Sequence, residues 1–162
     1  MINYGYTLLD NPHVHDIEGL RDAYTAAQRS DHPRTQVGAI LGSAAGANNK
    51  ADYRDKYPED VEFSRLHAEV AVIINSSVLG QQTRAFTMYA PWACCTGCAS
   101  AILKAGIPRV VVHHNLMQMT AEKWKEEVME GVDMLLRNNV RVEAIAFKFG
   151  VEIRFDGKEV VV

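Results

Sequence analysis

AFTMYAPWACCTGCASAILKAGIPRVVVH, residues 85–113, reads as a strand, a helix and a second strand in succession. Ala85 to Ala90 is rich in apolar and aromatic residues and stops at Pro91, as a short strand does. Cys95 to Ala105 suits a helix, ended by Gly106 and Pro108, which relax and then break the ladder. Arg109-Val-Val-Val-His113 is a continuous apolar run, the pattern of a strand covered on both faces.

The same alternation continues outward. Upstream, Asp16 is expected to cap a helix running to about Arg29, with Ile17, Leu20, Ala23, Tyr24 and Ala27 on one face. Ser30-Asp31-His32-Pro33 ends it, and Gln36 to Leu41 reads as a short buried strand. Gly42 to Lys50 is rich in turn formers. With the polar stretch to Phe63 it forms the longest expected loop. A helix is expected from about Arg65 to Val78. Downstream, Thr120 is expected to cap a long helix carrying Trp124, Val128, Val132, Leu135 and Leu136, followed by a strand from Val140 to Phe147. Val151–Phe155 and Lys158–Val162 flank Asp156-Gly157, a strong hairpin signal. The class is α/β: a mixed central sheet of about five strands with helices on both faces, plus a C-terminal β-hairpin. One domain is expected over residues 1–162.

Composition narrows the function. The chain has 17 basic and 20 acidic residues, a formal net charge of -3, so no basic excess points to nucleic-acid binding. MINYGYTLLDNPHVHD has no basic segment leading into an apolar run, and no uncharged apolar stretch approaches the ~18 residues of a membrane span. No membrane partner is expected, and the expected location is cytoplasmic. Cys94, Cys95 and Cys98 are odd in number and clustered, which fits a metal or redox site better than a disulfide framework.

Two segments carry the chemistry: Leu66-His67-Ala68-Glu69 and Pro91-Trp92-Ala93-Cys94-Cys95-Thr96-Gly97-Cys98. Each is placed where the chain enters a helix. Cys95 and Cys98 are three apart, so one helical face carries both sulfurs. If His67 joins them, two thiolates and an imidazole leave one tetrahedral position of a zinc ion open, the catalytic arrangement rather than the structural one. Glu69 is then near enough to handle the proton of a water without itself ligating. Cys94 offers a competing Cys-x3-Cys spacing.

H-x-E followed by P-C-x-x-C is a zinc deaminase signature, and the chain resembles the cytidine deaminase superfamily, most closely the deoxycytidylate (dCMP) deaminases. The resemblance spans roughly residues 17–147. It rests on SDHPRTQVGAIL at 30–41, HAE at 67–69, Cys95-Thr-Gly-Cys98-Ala99, Ala105-Gly-Ile-Pro-Arg-Val-Val and Gly131-Val-Asp-Met-Leu-Leu-Arg-Asn-Asn-Val140. Cys95 is preferred over Cys94 because it keeps the family register through Ala99. Three features depart from the family: Pro91 lies three residues before Cys94, Ala71 replaces an Asn, and Gly46-Ala-Asn-Asn49 replaces a Gly-Tyr-Asn-Gly-like stretch.

The resemblance implies a three-layer α/β/α fold, one zinc ion held by His67, Cys95 and Cys98, and Glu69 as the catalytic acid and base. It implies hydrolytic deamination of a cytosine nucleotide, dCMP to dUMP, in a homo-oligomer. Implied substrate contacts are Arg34, Ser30 and Gln36 around a phosphate, Asn48 or Asn49 at the sugar, Ala68 beside the zinc ligand, and Trp92 or Tyr89 against the base. The competing readings are a deaminase of another base, nucleoside, modified nucleotide or tRNA adenosine, and a non-catalytic zinc protein. His113 and His114 are expected to be structural or at an interface, Glu122 to Glu130 a solvated helix face, and the hairpin a sheet extension or subunit contact without chemistry.

Overall fold

The computed structural model describes residues 1–42 and 66–162, and the backbone alone of 48–52. Its elements are β1 (Thr7–Leu8), α1 (Val14–Gln28), β2 (Gly38–Gly42), β3 (Asn48–Asp52), α2 (Ala68–Val78), β4 (Thr87–Tyr89), α3 (Thr96–Lys104), β5 (Arg109–His113), α4 (His114–Gln118), α5 (Glu122–Arg137), β6 (Arg141–Ile145), β7 (Glu152–Phe155) and β8 (Lys158–Val161). The main sheet runs in the order β1-β6-β5-β4-β2-β3. β1, β6, β5 and β4 are mutually parallel, while β2 is antiparallel to both β4 and β3. This is the expected mixed sheet, with the two-residue β1 added at one edge.

Period-two alternation sorts the sheet into two faces. Ala39, Leu41, Met88, Val110, Val112, Val142 and Ala144 pack with Ala71 and Val72 of α2, Ala99 and Ile102 of α3, and Val128, Val132 and Leu135 of α5. Ile40, Tyr89, Val111 and Ile145, offset by one position, pack with Leu20 and Ala23 of α1. The continuous Val run of β5 is therefore covered on both sides, as its sequence requires.

Several boundaries differ from the sequence reading, each for a local reason. α1 is capped by His13, whose Nδ1 accepts from the backbone N–H of His15. Asp16 lies inside the first turn, where its carboxylate takes both Nη groups of Arg109 at 2.7 and 2.9 Å and the Tyr89 hydroxyl at 3.0 Å. α5 begins after Ala121. The hydroxyl of Thr120 instead donates to the Met117 carbonyl at 2.7 Å and accepts from Trp92 Nε1 at 2.8 Å. β3 falls within the expected loop, and α4 follows β5 without a break. The hairpin does not extend the main sheet. β7 and β8 form a separate ribbon, whose Ile153, Phe155 and Val162 pack on Tyr24 and Leu116. Backbone ties from Gln36 N–H to Arg154 O (2.8 Å) and from Gly157 N–H to Arg34 O (2.7 Å) stitch it to the segment after α1.

In the register of the sheet, the C-terminal end of β4 lies beside the start of β2. Ligand sites of open α/β sheets form outside the carboxyl ends of the strands, and both chemistry-bearing segments open there. Among the described residues, no helix is long and apolar enough to cross a membrane.

Candidate metal centre

α2 begins at Ala68, with His67 as an N-cap whose backbone is extended and whose side chain makes no capping bond. The helix expected from about Arg65 starts later because the His67 ring turns towards sulfur: its Nδ1 lies 3.5 Å from Cys95 Sγ and 3.3 Å from Cys98 Sγ. α3 uses Cys95 as its N-cap, and the sulfur accepts from the Cys98 N–H at 3.4 Å. Two helix N-termini thus point their positive ends at one small volume.

The three ligand atoms lie within 4.8 Å of one another. A tetrahedral zinc with bonds of about 2.0–2.1 Å to nitrogen and about 2.3 Å to sulfur separates those atoms by about 3.5 Å. The observed N···S distances fit that requirement, so the donor set suits zinc in number, type and spacing. Cys94, buried beside them, is not a member of the group.

The electrostatics follow the geometry. The Cys98 thiol as hydrogen-bond partner, then the His67 ring, bring the Cys95 thiol down to about 4 despite its burial. Hydrogen bonding to Cys95 raises His67 against the opposing effect of burial. Hydrogen bonding with Cys95 and burial push Cys98 up, and burial does the same to Cys94. Glu69, 5% exposed, sits in the first turn of α2. Its desolvation raises its carboxyl above the ordinary range.

His67, Glu69 and Cys95 line a cavity of about 300 Å³, within the range of small-molecule sites. Trp92 lines it too, held by its bond to Thr120 and an edge-to-face contact with Phe155. Arg34 stands at the mouth, 62% exposed, with Nη2 3.4 Å from Asp156 Oδ1. Among the described residues, the expected contacts Ser30, Gln36 and Ala68 do not line this cavity. Ser30 is buried, and its hydroxyl accepts from the His32 N–H. Gln36 donates to the Ser30 carbonyl at 3.1 Å and accepts from the Arg154 N–H at 2.8 Å. Both are consumed in shaping the turn that presents His32, Arg34 and Thr35. Ala68 packs into the core. Asn49 lies opposite Leu41 in the β2–β3 register, and its side chain lies outside the described residues.

Sequence reasoning missed the far wall. Lys123, Trp124 and Glu127 of α5 and Asp156 of the hairpin line the same cavity. The three-and-four spacing of Lys123, Trp124 and Glu127 puts them on one helix face. That signal was available, but it is the same one that a solvated face gives.

The family model for the cytidine and deoxycytidylate deaminase zinc-binding region matches residues 14–114. Among solved structures, the chain is similar to the dCMP deaminase of cyanophage S-TIM5 in apo form, at 18% identity and TM-score 0.67, over 83% of this chain and 99% of that one. The same phage enzyme in complex with dCMP and dUMP is similar at 20% identity and TM-score 0.60, over the same shares of 83% and 99%. RibD of Acinetobacter baumannii is similar at 24% identity and TM-score 0.52, over 80% of this chain and 34% of that one. No curated protein matches the chain by sequence.

Proposed function

Because the chain belongs to the cytidine and deoxycytidylate deaminase zinc-binding family, we propose that it removes the 4-amino group of a cytosine nucleotide, dCMP, giving dUMP and ammonia. The observation that carries this reading is the convergence of His67 Nδ1, Cys95 Sγ and Cys98 Sγ, with His67 and Cys95 in the wall of a cavity that the buried carboxyl of Glu69 also lines. Those three atoms would hold zinc. When bound, zinc would supply Lewis acidity, which lowers the pKa of water towards about 7.

The rest falls to the protein. Glu69 takes one proton from the attacking water and passes it to ring N3, then takes the remaining proton of the added hydroxyl and passes it to the departing amine. Water and the amino group are thereby exchanged for carbonyl and ammonia. Trp92 walls the ring, its indole fixed by Thr120. Arg34, an always-charged fork at the mouth, takes the 5′-phosphate. Ser30 and Gln36 act one step back by holding the turn that carries it. The cyanophage enzyme's complex with dCMP and dUMP supports the choice of substrate within the family.

The experiment is ammonia release from a panel of cytosine, adenine and guanine nucleosides and nucleotides, with and without chelator. Chelator-sensitive turnover with dCMP preferred over deoxycytidine is expected. Glu69→Gln should keep one equivalent of zinc and lose at least about a hundredfold in kcat. Turnover of a purine in preference to dCMP would sink the substrate assignment, and near wild-type activity in Glu69→Gln would sink the acid–base role.

A further inference from the structure

Lys123 Nζ and Arg34 Nη2 approach the same atom, Asp156 Oδ1, at 3.1 and 3.4 Å. The two cations come from separate elements, the start of α5 and the segment after α1, and the carboxylate comes from the tip of the hairpin. All three line the cavity that holds His67 and Glu69. Two cations converging on one anionic oxygen at a cavity mouth is the arrangement a phosphate requires, already filled by the protein's own anion.

We propose that Asp156 is a specificity-determining residue, whose carboxylate competes with the phosphate of a nucleotide substrate for Arg34 and Lys123. This rests on the nucleotide reading above. It adds Lys123 as a second phosphate cation and gives the hairpin a function.

The backbone of Asp156 is fixed. Asp156 and Gly157 have φ values of 47° and 80°, the two positive angles of a type I′ turn. Gly157 N–H is bonded to Arg34 O at 2.7 Å, and Asp156 N–H reaches Thr35 Oγ1 at 3.4 Å. An arriving phosphate therefore meets the carboxylate within its own reach and shares the cations with it. Lys123, then Arg34, hold the Asp156 carboxyl below the usual carboxylate range, so the competing charge is present at neutral pH. The turn itself does not demand that charge, since Asn serves a positive φ as well as Asp does.

Asp156→Asn consequently removes the competitor and keeps the turn. Two measurements on the zinc-loaded protein test it. Inorganic phosphate binding by titration calorimetry should tighten about fivefold in Asp156→Asn, the scale of one exposed charge contact, and the gain should shrink in high salt. Lys123→Gln should weaken the same binding. In turnover, the ratio of kcat/KM for dCMP to that for deoxycytidine should rise by about the same factor, through KM. Phosphate binding that is unchanged or weaker in Asp156→Asn, or absent from both forms, overturns the proposal. Tighter phosphate binding without any dCMP turnover would refute the nucleotide reading and leave the competition standing.

Discussion

α5 crosses the cysteine-bearing loop at Gly131, where substitution by alanine is the sharpest test of how the candidate centre is held. A Cβ at this position would fall inside the van der Waals surface of the Cys94 carbonyl oxygen, 2.9 Å from the Cys94 carbonyl carbon and 3.0 Å from that of Cys95. Carbon atoms rest about 3.5–4.0 Å apart, so the loop or the helix must yield by at least about 0.5 Å. Metal sites tolerate displacements of about 0.2 Å in their ligands, and the Cys95 sulfur hangs from the peptide that would move. Gly131→Ala is expected to cost about 1–3 kcal/mol from overpacking, a fall in Tm of about 3–10 °C for a chain of this size. It should weaken zinc about 10–100-fold, as loss of supporting structure around a metal does. Zinc content by elemental analysis after dialysis against a graded chelator, alongside thermal unfolding, reads both effects. A variant that holds zinc as tightly as the parent and melts within about 2 °C of it would refute the claim that this close approach positions the ligands.

Other expectations follow from contacts described above. Cys98→Ala should purify without zinc whereas Cys94→Ala keeps one equivalent, measured by elemental analysis; the reverse result would restore the Cys-x3-Cys pair. Asp16→Asn leaves the Arg109 guanidinium short of a bidentate partner in a half-buried site, and should cost about 3 kcal/mol by urea unfolding. A loss well under about 1 kcal/mol would show that Glu143 alone satisfies the arginine. His113 is buried, accepts from the Tyr24 hydroxyl at 2.6 Å, donates to the Phe147 carbonyl at 2.9 Å, and is pulled down to about 4 by desolvation. Its folded value lies below the unfolded one, so its contribution is complete above about pH 6.5 and is lost as pH falls towards 4. Between pH 7 and pH 5 the parent should lose about 2 kcal/mol more than His113→Gln; parallel curves for the two proteins would exclude this histidine as the cause.

How much of this was legible beforehand depends on the range of the forces involved. The candidate metal cluster was readable because thiols at three-residue spacing can meet at one point whatever surrounds them. β5 was readable because an apolar run of that length has to be covered twice. β3 was not, because Asn48-Asn-Lys-Ala-Asp52 has no apolar alternation and is extended through its pairing with β2. Asp16 looked like a cap until Arg109, ninety-three positions away, claimed both its oxygens. Ser30 and Gln36 were expected at a phosphate, but their hydrogen-bond partners commit them to the turn behind Arg34. The cavity's outer wall was the least legible part, since a lysine on a solvated helix and an aspartate in a turn gain their meaning by meeting.

That meeting divides the molecule's labour. The metal donors and Glu69 all fall between residues 67 and 98, inside the stretch that the family model matches. Lys123 and Asp156 lie beyond its last matched residue, 114. On the proposed reading, reagent-making therefore resides inside the matched stretch, while customer-choosing is divided between Arg34 and Trp92 within it and Lys123 and Asp156 beyond it. A lineage could exchange the tip of one ribbon and acquire a new clientele while its reactive heart stayed untouched.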